Sequence, residues 1–311
     1  MTQPPNDYPE TNIGSLLDIP YELGRGDPNI GYPGSGKAGP RGIEAVIEYN
    51  GLFMNVRDWI DTYLVTTIGG IDDADVRDNR EVNPGYHGET AFIGLYGGRT
   101  ITLTGKIICQ TIFKLRDMQQ GLRQAFSRLD RELPLIFRAP SPELDMMIYC
   151  RKSQSIQMAD EQRTANHFER AFMIMLRASN PRFVSSIRNY SETAFPGTTF
   201  DAIATTLVND GNFTSQPEIE VTGPATNLYI VNEANGHMIH LTAPVPANER
   251  WIMDTAARRM YRFSDQGNRF QYLDVNSDWM ELQPGINNIR VTASGLTSAS
   301  RLIFRYRHTW M

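Results

Sequence analysis

From residue 197 onward this chain carries no helical apolar period, and its short apolar runs are cut repeatedly by turn chemistry. The breaks fall at Asn209-Asp210-Gly211, Gly223-Pro224, Asn235-Gly236, Gln266-Gly267 and Pro284-Gly285. Such residues supply the positive φ or the preset bend that a reversing strand needs. The pattern excludes long helices and predicts a β-sandwich or jelly roll for residues 197–311. The last run is the clearest. Leu302, Phe304, Tyr306, His308 and Trp310 alternate with Ile303, Arg305, Arg307 and Thr309. Alternation across a strand predicts one packed face and one cationic, wet face, with the C-terminus tied into the domain.

A second block, residues 43–192, is also strand-rich. Ile43, Ala45, Ile47 and Tyr49 alternate with Glu44, Val46 and Glu48, and Asn50-Gly51 offers a tight hairpin turn. Residues 63–68 and 99–108 read as strands, as do 135–138, 146–151 and 168–178. One helix interrupts them. Ile112, Leu115, Met118, Leu122, Phe126 and Leu129 recur at steps of three and four, and Pro134 follows. A lone helix among strands is expected to cover the apolar face of a sheet. Residues 1–42 are rich in Pro, Gly, Asn and Asp and read as an extended N-terminal arm. Its scattered Ile13, Leu16, Leu17, Ile19 and Tyr21 could dock on a neighbour; a plain disordered leader is the alternative.

The 311 residues, 41% hydrophobic, suffice for two domains. A net charge of -5 argues against bulk nucleic-acid binding. No apolar run approaches the roughly 20 residues of a membrane span, and the N-terminus lacks a secretory pattern, so synthesis in the cytoplasm is expected. Cys109 and Cys150 lie in apolar strand-like runs and are expected as buried free thiols.

Motifs that could carry chemistry fail on their chemistry. The segment 31–37 nearly spells a phosphate-binding loop, but Ala38 stands where Ser or Thr must hold magnesium, and Gly39-Pro40 forbids the helix that follows such loops. His237 and His240 are three apart, so on a strand they face opposite ways and cannot share a metal. Asp72, Asp73, Asp75 and Asp78 lack the central glycine and closing glutamate of a calcium loop. Trp251 and Trp279 are candidate sugar-stacking residues, although Met280 and Leu282 beside Trp279 suggest burial. No catalytic, metal or cofactor site is expected.

Together these features resemble a known family. Gly70-Ile71-Asp72, Val76-Arg77, Pro84-Gly85-Tyr86-His87-Gly88 and the run Gly97-Gly98-Arg99-Thr100-Ile101-Thr102-Leu103-Thr104-Gly105 follow one another in the order seen in distal tail proteins of long-tailed, non-contractile bacteriophages. The helix, Pro134-Leu135-Ile136-Phe137, and Asn180-Pro181-Arg182-Phe183 continue it. In the second block, residues 232–236, Glu249-Arg250-Trp251-Ile252-Met253-Asp254 and 279–310 resemble the galectin-like β-sandwich that follows in that family.

The resemblance implies a mainly β protein: a ring-forming domain with one covering helix, then a galectin-like sandwich. It implies a non-enzymatic virion protein of the tail tip, six copies of which form a ring between the tail tube protein and the tail-tip hub protein. Receptor-binding proteins or a host glycan are further expected partners. Asp72, Asp73, Asp75, Gly97, Gly98 and Arg99 are the expected inter-subunit contacts. Arg99 in particular is expected to pair with an acidic loop residue of its own chain or a neighbour's. A host-attachment lectin using Trp251 or Trp279 is the competing reading, and a glycan hydrolase a third.

Overall fold

The computed structural model describes residues 46–56, 61–72, 74–78, 80–82, 87, 89–91, 94–139, 145–159, 168–195 and 197–311. The expected arm, the phosphate-loop-like segment and Asp73 lie outside the described residues. The chain divides into two compact units, Met1–Ser186 and Ile187–Met311. Strands predominate, and the described residues contain one α-helix. The expected mainly β class is therefore what forms. Among the described residues no helix is long and apolar enough to cross a membrane.

The strands of the first unit are β1 (Val46–Tyr49), β2 (Leu52–Met54), β3 (Thr62–Gly69), β4 (Val76–Arg77), β5 (Arg80–Val82), β6 (Glu89–Ala91), β7 (Leu95–Tyr96) and β8 (Arg99–Cys109). Helix α1 (Ile112–Ala125) follows, then β9 (Leu133–Arg138), β10 (Met146–Lys152), β11 (Gln157–Ala159), β12 (Phe168–Ala178) and β13 (Phe183–Ser185). The main sheet runs β2-β1-β9-β10-β12-β8-β3, with β11 added to β12 and β13 to β10. β4 pairs β7, and β5 pairs β6, as two separate antiparallel ribbons. The hairpin at Asn50-Gly51 forms as its residues require, with φ of 49° and 77°. In β8, Ile101, Leu103 and Ile107 are fully buried while the threonines alternate outward. At roughly 1.5–3 kcal/mol for each large apolar side chain buried, this strand and β12 beside it form the heart of the unit.

Helix α1 lies over β8 and β12. Thr111 caps its start by accepting from the Lys114 N–H at 3.2 Å. Leu115, Met118, Leu122 and Ala125 are its buried face. The helix stops at Ala125, one turn short of the apolar period that runs on to Leu129. Phe126 leaves helical geometry (φ -98°, ψ 22°) and its ring stacks on Tyr49 at 4.4 Å. Asn50 donates its side-chain amide to the freed Ala125 carbonyl at 3.0 Å. Tertiary packing of one aromatic thus overrides a period that would otherwise continue. Cys109 and Cys150 are free and buried, and burial pushes both thiols up.

The second unit opens with β14 (Asn189–Ala194), then β15 (Thr199–Asn209), β16 (Glu218–Thr222), β17 (Thr226–Asn232), β18 (Met238–Leu241), β19 (Arg250–Asp254), β20 (Arg259–Arg262), β21 (Gly285–Ser294), β22 (Arg301–Tyr306) and β23 (Thr309–Trp310). Two antiparallel sheets, β14-β22-β16-β19-β20 and β15-β21-β17-β18, face each other across one apolar core. The sequence reading ended the first block at residue 192. Here β14 instead pairs along its whole length with β22, from Asn189↔Tyr306 to Ala194↔Arg301. That pairing partner is over 100 residues away and invisible to a local pattern.

Two further expectations need correction. The alternation at the C-terminus holds through Leu302, Phe304 and Tyr306, which are buried, and then breaks. His308 meets the Tyr306 and Trp310 rings edge-on at 6.1 Å, but its ring nitrogens turn to polar partners. It bonds to the Asn189 amide at 3.0 Å and accepts the Asp210 N–H at 2.9 Å, and Thr309 is buried instead. The second correction concerns charge. The face opposite the core is not a cationic one, because Arg305 pairs with Glu218 and Glu220 at 3.2 and 2.8 Å, and Arg301 with Glu192 at 3.3 Å.

Three fully buried asparagines, Asn209, Asn232 and Asn287, hold the loops at one end of the sandwich. The Asn287 carboxamide accepts from the Gln283 and Asn232 sides and donates to the Gln283 and Gly285 carbonyls at 2.8 and 3.0 Å. Buried amides are tolerated because their hydrogen bonds are made.

Candidate assembly surface

The residues singled out around 70–99 converge, but mostly within their own unit. Arg99 opens β8 with its side chain 1% exposed. Its Nε donates to the Pro181 carbonyl at 3.1 Å, and its Nη1 to the carbonyls of Gly70 at 3.3 Å and Ile71 at 2.6 Å. The guanidinium also lies 4.8 Å above the Phe183 ring. One planar cation therefore ties together the end of β3, the start of β8 and the segment leading into β13. The expected pairing was with an acidic loop residue of its own chain or a neighbour's; the described partners here are carbonyls and a ring of its own unit, around an enclosed side chain.

Gly97 and Gly98 are likewise buried. The Gly97 N–H donates to the Asp75 carbonyl at 2.6 Å, closing the base of the β4–β7 ribbon. A Cβ on Gly98 would come 2.7 Å from the Ala178 carbonyl oxygen, so the glycine is required by backbone approach inside the unit. Asp75 is exposed and lies 3.5 Å from Arg177 of its own chain. An exposed pair of this length contributes about 0–1 kcal/mol. Asp72 is exposed.

What the sequence reading missed is the ribbon itself. β4 and β7 pair Val76 with Tyr96 and Arg77 with Leu95. Val76 is 62% exposed, Leu95 56% and Tyr96 46%. Val76 and Tyr96, opposite each other across the ribbon, share one of its faces and Leu95 stands on the other, on an extension anchored at its base by Arg99 and Gly97. Exposed carboxylates flank it: Asp72, Asp75, and Asp78, which Arg80 engages at 2.6 Å. Exposed apolar groups with a charged rim mark association surfaces. The available signal was three apolar residues at loop positions between glycines and aspartates.

The two candidate sugar-stacking tryptophans are placed differently from each other. Trp251 is 2% exposed, stacks on Tyr272 at 5.4 Å and donates its indole N–H to Glu249 at 2.8 Å. It is a core residue and cannot meet a ligand. Trp279 is half-buried and stacks on the exposed Phe270 at 6.1 Å. Among the described residues no group of His, Cys, Asp and Glu could hold a metal ion. Tyr229 and His240 stack at 3.9 Å, and His240 holds Asp274 at 3.1 Å.

Comparison with known proteins gives this arrangement a context. Residues 210–310 match the family model for the siphovirus-type tail component, C-terminal domain. No curated protein matches the chain. Among solved structures the chain is similar to SPP1 Dit (gp 19.1), described as a paradigm of the hub adsorption apparatus of phages infecting Gram-positive bacteria, with a TM-score of 0.61 at 14% identity over 86% of this chain and 99% of that one. Chains of the phage P2 baseplate in its activated conformation, with calcium or strontium, score 0.42 and 0.39 at 8% and 9% identity, over 82% of this chain and 93% of theirs. Residues 210–310 of the second unit are thus similar to the siphovirus-type tail-component domain. The chain as a whole has the distal tail protein fold and resembles that family, as the order of its motifs implied.

Proposed function

We propose that this chain is a structural protein of the phage tail tip, six copies of which close into a ring between the tail tube and the tail-tip hub, and that it acts there without catalysis. The observation that carries the reading is the match of residues 210–310 to a tail-component domain, on a chain whose fold is that of a distal tail protein. The physical support is the β4–β7 ribbon. A heterologous contact repeated by rotation closes a ring when its angle fits, and such a contact needs an apolar patch with a specific rim on each copy. Val76 and Tyr96 on one face of the ribbon and Leu95 on the other, with Asp72 and Asp75 beside them, are the groups it offers to a neighbour. The partners in this reading are further copies of the chain, the tube protein, the hub protein and the receptor-binding proteins that the ring carries for host attachment. The protein then resides in the virion after synthesis in the host cytoplasm. Native mass spectrometry and negative-stain electron microscopy of the purified chain test it. A population at six times the chain mass, seen as closed rings, is expected. A protein that stays monomeric at high concentration and is absent from purified tails overturns it.

A further inference from the structure

On the second unit the sheet β15-β21-β17-β18 turns one face to the core and leaves the other uncovered. Asp201, Thr292, Tyr229 and His240 lie opposite one another in register, one from each of the four strands. At the end of this row is a shallow groove of about 370 Å³, lined by Asp201, Asn227, Tyr229, Thr292 and Ser294 among others. That volume is within the range of small-ligand clefts, roughly 300–1,000 Å³. The groove has a structural cause. Both strands flanking β21 are bulged, between Ile203 and Thr205 and between Thr226 and Tyr229. Bulges bend a sheet and re-aim side chains. Asn227, in the second bulge, sits at φ 48° and is exposed.

We infer that this groove binds a neutral saccharide, one pyranose ring seated against Tyr229 with its hydroxyls meeting Asp201, Asn227 and Thr292. Over β21 and β17, both paired on two sides, recognition comes from side chains; β15 is the edge strand beside them. The side chains combine an apolar wall with hydrogen-bonding groups. Tyr229 is held rigid by its stack on His240, which Asp274 fixes in turn. Asp201 is 69% exposed, accepts from the Thr292 hydroxyl at 3.0 Å and keeps further lone pairs for ligand hydroxyls. Asn227 adds both a donor and an acceptor. Arg290 lies 3.8 Å from Asp201 and 2.8 Å from Glu233, so one cation partly offsets two carboxylates. Asp201 is the one charged group among the lining residues, partly offset by Arg290, and the groove is otherwise built of neutral side chains. It suits a ligand with an apolar ring face and a rim of hydroxyls.

This inference is independent of the ring. The groove lies within one chain, and its test reads binding rather than assembly, so the two readings fail separately. The full chain is titrated by saturation-transfer NMR with methyl glycosides of glucose, galactose, N-acetylglucosamine and rhamnose. At least one is expected to bind with a Kd on the order of 1 mM. Asp201→Ala is expected to weaken that binding about ten-fold or more, Thr292→Val likewise, and Trp279→Ala to leave it unchanged, with the melting temperature of each variant measured alongside. Tyr229→Phe, which preserves the ring and its stack, is expected to retain binding. No transfer from any glycoside, or binding that survives Asp201→Ala and Thr292→Val intact, overturns the inference.

Discussion

Arg99 donates to the carbonyl of Ile71 at 2.6 Å from within the first unit, and this bond holds the base of the exposed β4–β7 ribbon. Arg99→Ala would remove that bond together with those to Gly70 and Pro181, leaving enclosed carbonyls without their donor. A loss of about 3 kcal/mol or more of stability in the first unit is expected. Arg99→Lys should recover only part of it, since an ammonium cannot span three carbonyls as a planar fork does. Thermal unfolding of the two variants measures the difference. Wild-type melting in Arg99→Ala would show that the residue is not a staple.

Gly98 makes a sharper steric claim. Adding a Cβ brings it to 2.7 Å from the Ala178 carbonyl, and backbone at that spot cannot yield as a side-chain tip can. Gly98→Ala is therefore expected to destabilise the first unit by about 1–3 kcal/mol. Chemical denaturation would reveal a lowered midpoint; an unshifted midpoint refutes the packing argument.

The ribbon can be challenged without touching the core. Val76→Asp combined with Leu95→Asp places two charges on exposed positions, so folding should be little affected, within about 0.5 kcal/mol. Assembly should suffer, because each new carboxylate would have to be desolvated in the contact. The expected result is an unchanged melting curve with the ring population lost in native mass spectrometry. Rings that persist in the double variant place the contact elsewhere.

Glu220 predicts the acid response of the second unit. Its carboxylate is buried, with Arg250 at 2.5 Å and Arg305 at 2.8 Å. Burial alone would raise its pKa, but the hydrogen bonds and charges of the two arginines outweigh that and hold it below the ordinary value of 4.5. A depressed carboxyl stabilises the fold above its unfolded pKa, and the contribution fades as pH falls through the folded one. Glu220→Gln should thus cost about 2 kcal/mol at neutral pH, with both arginines partly solvated. The gap from wild type should narrow once the pH drops below about 4.5. A gap that is constant from pH 7 to pH 3, in steps of roughly one pH unit, contradicts the assignment.

Asn287 is the test of the buried amides. Asn287→Leu keeps the volume but strands the Gln283 N–H and the carbonyls of Gln283 and Gly285. A loss of about 3 kcal/mol is expected, with faster hydrogen exchange in residues 281–285 as its local signature. Protection that matches wild type there would remove the pinning role.

Much of the architecture was written locally. The turns at Asn50-Gly51, Asn235-Gly236 and Pro284-Gly285 form where small or flexible residues permit positive φ, and β8 buries Ile101, Leu103 and Ile107 as its alternation requires. Period and turn chemistry are properties of neighbouring residues, so the class of fold and the helix that follows β8 came from the sequence by itself. The rest depended on partners far away in the chain. Phe126 ended the helix because Tyr49 was there to stack on, and β14 joined the second unit because β22 offered it an edge. Arg99 turned inward because the carbonyls of Gly70, Ile71 and Pro181 meet around it, while Val76, Leu95 and Tyr96 were left outside. Which polar groups are enclosed and which apolar groups stay exposed is settled only when distant segments are packed, since burial and hydrogen bonding are properties of the whole assembled core.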